Sequence, residues 1–160
     1  MTESDITELL YHEALYLDQQ RWDDWLALYT DEIEFWAPAW KGAHRPTDDP
    51  TSEISLIYLT SKKRLEERVL RIRSGKSAAA LVMPRTAHSI TNILIDDDQP
   101  LIVRSLCVTH IYDPKRRHAY QTTARYTHRL IDDGGGLRIQ GKKIIVLNDQ
   151  LPSKLDFYTL

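Results

Sequence analysis

Apolar residues recur at helix spacing in the first third of the chain and at alternate positions through much of the second half. Ile6, Leu9, Leu10, Ala14 and Leu17 form one stripe, which predicts an N-terminal helix, with Asp5 and Glu8 at the spacing of a capping pair. After the polar run Gln19–Arg21, the residues Trp22, Trp25, Leu26 and Tyr29 fall on one side of a second, short helix. Ile33–Pro38 reads as a strand closed by proline. Lys41–Ser52, with Gly42, Pro46 and Pro50 and almost no apolar anchor, reads as a loop. Glu53–Leu59 is a short strand. Ser61 then stands where a cap belongs, before a helix whose apolar stripe is Leu65, Val69 and Ile72 and whose stop is Ser74-Gly75.

The second half is all strand: Thr86–Ile95, Leu101–Tyr112, His118–Ile131 and Leu137–Asn148. The turn signals between them are Asp96-Asp97-Asp98, Asp113-Pro114 and Asp132-Asp133 followed by Gly134–Gly136. Short turns between long strands predict an antiparallel meander. Helices followed by a long sheet give an α+β order, and strands of this length must twist and curl around the helices into a cone with an open mouth. In the third run Gln121, Thr123, Arg125, Thr127 and Arg129 alternate with the mostly apolar Tyr120, Ala124, Tyr126 and Leu130, so one face is core and the other is wet or paired with something polar. Ile144–Leu147 is apolar at consecutive positions, which leaves two readings: another subunit covers the second face, or an edge tucks under a loop.

Bulk composition narrows the class. The 160 residues are 42% hydrophobic and 28% charged with a net charge of −2. These values fit one domain spanning residues 1–160, long enough for a real core, with no global pull toward nucleic acid or anionic membranes. The opening MTESDITELL does not read as a secretion signal, and no apolar run approaches the roughly 18 residues of a membrane span, so a cytoplasmic protein is expected. The lone Cys107 cannot form an intrachain disulfide. Nor can one cysteine supply an iron–sulfur cluster, which takes about four ligands, or a multi-cysteine zinc site.

Two constellations invite chemistry. His88, His110 and His128 lie on three strands, but no motif fixes two of them as ligands on one element, and His88 shares alternation with Ile90 and Leu94; a satisfied interior histidine is the favoured reading over a metal site. Alternatively, His88 with Tyr16 or Tyr126 as hydrogen-bond partners makes an acid–base pocket in the cone. Cys107 reads as an inert buried thiol, and Gly134–Gly136 as a hairpin turn, not a phosphate loop. The third constellation is a surface. Trp40, Arg45 and Glu53 on the loop, and Arg64, Glu67, Arg68 and Arg71 on the helix, have the arginine- and tryptophan-rich composition of an interface, though a solvated helix face has the same charges. Gln121, Arg125 and Arg129 form the polar strand face.

Several segments together resemble the small (β) subunit of aromatic-ring-hydroxylating (Rieske-type) dioxygenases. They are YHEALYLDQQRWDDWLALYTDEIEFWAPAW (Tyr11–Trp40), EISLIY (Glu53–Tyr58), RLEERVLRIRSG (Arg64–Gly75), PRTAHSITN (Pro84–Asn92) and KKIIVLNDQLPSKLDFYTL (Lys142–Leu160). The phrasing of FWAPAW and LTSKKRLEERV is closest to the benzoate, toluate and anthranilate branch, while HRPTDDP (His44–Pro50) and AAALVMP (Ala78–Pro84) depart from the pattern. The resemblance implies a cystatin-like, nuclear transport factor 2-like (NTF2-like) cone. It also implies a homotrimer that pairs with a large α subunit, three of each. The Rieske [2Fe-2S] cluster and mononuclear Fe(II) would sit on that α subunit, and electrons would come from NADH through a reductase. The assembled enzyme would cis-dihydroxylate an aromatic ring, with no catalytic, cofactor or metal residue on this chain. A stand-alone isomerase or dehydratase of the same cone fold, using the pocket His and Tyr, is the second reading, and a small-ligand carrier the third.

Overall fold

A computed structural model describes residues 2–75, 82–96 and 100–160. The apolar stripe becomes helix α1 (Glu3–Asp18), with Ile6, Leu9, Leu10, Ala14 and Leu17 all buried. Its cap is a reciprocal box between Thr2 and Asp5, not the expected Asp5–Glu8 pair: Asp5 N donates to Thr2 Oγ1 at 3.2 Å and Thr2 N to Asp5 Oδ2 at 2.6 Å. The hydroxyl one turn earlier reaches the free amide first, so the helix starts earlier than the acidic pair suggests. Helix α2 (Trp22–Ala27) buries Trp22, Trp25 and Leu26, and Tyr29 is the first residue of strand β1 (Tyr29–Pro38) instead of the end of the helix.

The expected loop holds a minimal ladder, β2 (Trp40–Lys41) against β3 (Arg45–Pro46), before strand β4 (Ser55–Leu59). Helix α3 (Lys62–Arg73) buries Leu65 and Val69 and ends at Ser74, followed by Gly75 at φ +64, a conformation that glycine adopts without strain. Strands β5 (Arg85–Asp96), β6 (Leu101–Asp113), β7 (His118–Asp132) and β8 (Leu137–Val146) form the expected antiparallel meander. The turn expected at Asp96–Asp98 and the apolar approach Ala78–Pro84 fall largely outside the described residues.

One sheet runs β4-β1-β8-β7-β6-β5. It is mixed, not wholly antiparallel: β1 pairs parallel with β8, with Phe35 beside Lys142 and Trp36 beside Lys143. No tight turn links these two strands, so nothing local forces them antiparallel. Helices cover one face, and that face carries the core, with Trp25, Tyr29, Tyr126, Phe35 and Phe157 the largest fully buried side chains among the described residues. Residues 157–160 of the same chain enter the cone. A short 3-10 turn, Phe157–Thr159, brings Phe157, Tyr158, Thr159 and Leu160 into the interior.

Alternation predicts the inner and outer faces well on β7, where Thr122, Ala124, Tyr126, His128 and Leu130 are buried. It fails on β5. Asn92 sits at φ +54, the pairing with β6 slips between Thr91 and Leu94, and the inward phase passes to Ile93 and Ile95. Leu94 is therefore 62% exposed and does not share a face with His88. On β8 the outward Ile145, and Leu147 just past the strand's end, are half-buried and the inward Ile144 and Val146 buried.

Candidate functional site

The inner face of the sheet is unusually polar for a core. Its centre is Glu13, which lies on the apolar stripe of α1 one turn beyond Leu9 and Leu10 and is 2% exposed. Three donors converge on its carboxylate. Lys142 Nζ reaches Oε1 at 2.8 Å, His128 Nε2 lies 3.0 Å from Oε2, and the Tyr29 hydroxyl donates a very short bond to Oε1. Lys142 on β8 and His128 on β7 are register partners, so one rung of the ladder delivers both cation and imidazole to the helix. The Lys142 ammonium also lies over the Tyr126 ring, 4.3 Å from its centroid.

Removing a carboxylate and an ammonium from water costs several kcal/mol per ion, which the pair recovers only through good geometry and further hydrogen bonds. Here both are supplied. Burial pushes the Glu13 carboxyl up, but Lys142 and His128 override it and hold it well below its ordinary 4.5. Burial and the Glu13 charge push the Tyr29 hydroxyl up, so it remains a donor. Because the carboxylate only accepts, His128 carries its hydrogen on Nε2. Among the described residues its Nδ1 has no hydrogen-bond partner, and the buried Tyr126 hydroxyl lies beside Cys107. Burial also raises the Cys107 thiol, which disfavours the thiolate a nucleophile requires.

The sign of the Glu13 shift yields a measurable consequence. A depressed folded pKa contributes stability that is complete above the unfolded value near 4.5 and is lost progressively as pH falls below it. A Glu13→Gln/Lys142→Met double variant should therefore show a shallower fall in unfolding free energy from pH 5 to pH 3. The slopes should differ by up to about 1.4 kcal/mol per pH unit, read from urea denaturation.

A second carboxylate on the same helix holds the second interior histidine. Asp18 Oδ1 lies 2.5 Å from His88 Nδ1 and accepts from Thr86 Oγ1 at 2.9 Å, and Asp18 Oδ2 accepts from the His88 amide at 2.9 Å. The partners of the His88 ring are thus Asp18 and, at 3.0 Å from Nε2, a main-chain oxygen of Leu160, instead of Tyr16 or Tyr126. Tyr16 stacks on His12 and carries the Arg21 guanidinium over its ring. Among the described residues, no three His, Cys, Asp or Glu side chains group as a metal ligand set. His110 is exposed on the outer face of β6.

The residues expected at interfaces divide between two surfaces. Gln121 and Arg125 are exposed on the outer face of β7. Arg129, on the same face, lies across Gly141, donates to Gln140 at 3.2 Å and pairs with Glu34 at 3.9 Å. Helix α3 lies elsewhere, packed by β1 and β4, and the loop leads from β1 into β4. Several of their charges serve the chain's own fold. Glu53 accepts from Lys41 at 2.8 Å and from the amides of Asp48 and Asp49, while Trp40 Nε1 donates to the Val146 carbonyl at 2.6 Å. Arg68 turns toward Asp156 at 3.0 Å. Arg45 and Arg64 make only exposed contacts to Asp48 and Glu67, and Arg71 is exposed.

Sequence reasoning missed Glu13, Lys142 and Tyr29 as a unit. The available signal was a carboxylate on an apolar helical stripe and a lysine at an inward strand position, neither of which burial tolerates unpaired.

The profile of the ring hydroxylating beta subunit family matches residues 12–153. This chain belongs to that family. It is 37% identical over 156 residues to the benzoate 1,2-dioxygenase subunit beta of Acinetobacter baylyi, covering 96% of this chain and 90% of that one. Its fold superposes on the crystal structure of the benzoate 1,2-dioxygenase beta subunit from Burkholderia mallei with a TM-score of 0.82 at 30% identity, over 100% of this chain and 98% of that one. A protein from Novosphingobium aromaticivorans described as a scytalone dehydratase shares the fold alone, with a TM-score of 0.69 at 14% identity over 96% and 90% of the two chains. The NTF2-like cone is therefore common ground between ring-hydroxylating β subunits and dehydratase-type proteins, and family membership separates them.

Proposed function

We propose that this chain is the structural small subunit of a multicomponent dioxygenase that cis-dihydroxylates a benzoate-type ring. The observation that carries the reading is the match along nearly its whole length to a benzoate 1,2-dioxygenase β subunit. In this proposal the chain forms a homotrimer and seats large α subunits, three of each. The Rieske cluster and mononuclear iron belong to the large subunits, and NADH supplies electrons through a reductase. The residues of this chain fit that division of labour: its one cysteine is buried, and both interior histidines are committed to carboxylates. Among the described residues no helix is long and apolar enough to cross a membrane, which agrees with the cytoplasmic location proposed here.

The cone-fold alternative, a stand-alone isomerase or dehydratase, needs an acid or base open to substrate. Glu13 is saturated by three donors and sealed, and His88 is capped on both ring nitrogens. The deciding experiment is co-expression with a benzoate-type large subunit and its reductase. The two chains should co-purify, and benzoate consumption should require both. Turnover by this chain alone, or failure of the two to associate, would overturn the reading.

A further inference from the structure

Strand β7 runs from one end of the sheet to the other, and its two ends carry opposite charge. At its start, the turn from β6 presents Lys115, Arg116, Arg117 and His118, all exposed. Asp113 fixes that turn by accepting the Lys115 amide at 2.9 Å and the Arg116 amide at 3.1 Å. Arg117 sits at φ +52, a conformation that glycine adopts without strain and arginine at a cost. Turn geometry alone would favour glycine there, and the chain places a cation. The Arg116 guanidinium touches Asp113 and the Pro152 carbonyl, each at 3.4 Å. Among the described residues Lys115 and Arg117 have no ion-pair partner. The far end of β7 lies up to roughly 45 Å away along an extended strand. A cavity of about 400 Å³ opens there between the first turns of α1 and the start of β8. Leu9 and Leu137 line it together with the carboxylates of Asp5, Glu8 and Asp132 and the His12 ring. Glu8 is exposed and pairs with His12 at 4.0 Å, an ion pair only when the imidazole is protonated. Arg138, next to Leu137, is engaged by Asp133 at 3.6 Å and by the Ala27 carbonyl at 2.6 Å. The sheet thus ends in a projecting basic tip at one pole and an acidic hollow at the other.

We propose that the basic tip of one copy of this chain docks in the acidic hollow of the next. The inference deepens the homotrimer proposed above and rests on it. The occupant is a second copy because every copy carries both halves of the contact, opposite in charge and one convex where the other is concave. A contact between two different patches of the same chain is heterologous, and it closes into a ring when successive copies turn by a third of a revolution. Single exposed ion pairs are weak, so the contact depends on several cations meeting several carboxylates at once while Leu9 and Leu137 lose water. Screening makes it salt-sensitive, and association should weaken from about 0.05 to 0.5 M salt.

Sedimentation equilibrium on the full chain tests the contact. Lys115→Glu with Arg117→Glu reverses the tip and leaves the Asp113 bonds in place. Glu8→Lys with Asp132→Asn neutralises the hollow, and the asparagine can still accept the Gly134 amide that Asp132 accepts at 2.9 Å. Each variant should keep the circular dichroism of the unaltered chain and lose trimer affinity by about tenfold or more. The hollow substitutions should then act with opposite sign in the two backgrounds. They weaken association of the unaltered chain, and they strengthen association of the tip-reversed chain, where they remove a repulsion between like charges. Losses that simply add, a trimer indifferent to both variants, or a dimer in place of a trimer would each overturn the contact and leave self-association standing. An unaltered chain that stays monomeric would overturn the homotrimer reading and this contact together. Variants that keep the trimer but fail to co-purify with a large subunit would assign the tip to that partner and overturn the proposal.

Discussion

Replacing Lys142 with methionine is expected to cost about 3–5 kcal/mol of folding stability, because it strands the Glu13 carboxylate in the core with its cation gone. Glu13 would retain His128 and Tyr29, which places the expected loss within that range instead of beyond it. The measurement is urea denaturation at pH 7 on the isolated chain. The Glu13→Gln/Lys142→Met double variant discriminates between explanations. If the penalty of Lys142→Met arises from an unpaired charge, the double variant recovers most of it, since a buried pair replaced as a unit is often close to neutral. If the two losses simply add, the ammonium matters through its packing over Tyr126. The pair joins α1 to β8 and has one geometry, so it also favours a single docking of the helix on the sheet.

That cluster shows where sequence pattern is informative and where it stops. The stripe of α1, the second helix, α3 and the four meander strands follow from period and turn chemistry, which are local. The wet outer face of β7 follows from strict alternation across Gln121–Arg129. The parallel pairing of β1 with β8 was hidden because it joins segments with no connecting turn to announce it. The exposure of Leu94 was hidden because one asparagine in a left-handed conformation shifts the alternation by a residue. The interior site was half visible. His88 and His128 stood out by type, but their partners Asp18 and Glu13 come from a helix far away in sequence, and the Leu160 oxygen is a main-chain group with no residue signature. Family resemblance, resting on whole segments and not on one motif, carried the functional reading further than any single constellation.

Charge reversal on the outer sheet face should separate folding from assembly. A chain carrying Arg125→Glu and Arg129→Glu is expected to stay folded. Arg125 is exposed, and the contacts of Arg129 to Glu34 and Gln140 are half-exposed and weak. We propose that self-association uses the outer face of β7 and that the large subunit docks on α3; the same chain should then lose self-association by about tenfold or more in sedimentation, because like charges placed across a subunit contact oppose association more than rim charges favour it. Reversal of Arg64 and Arg71 on α3 is the control. These side chains lie on the other surface, so self-association should survive while co-purification with a large subunit weakens. The two variants make the proposed division of surfaces decidable. If the β7 variant still self-associates and the α3 variant does not, the surfaces exchange roles. If neither changes assembly, the exposed arginines are solvated charges, and the contacts must be sought among the exposed apolar residues Ile54, Leu56 and Leu70 beside the loop and helix.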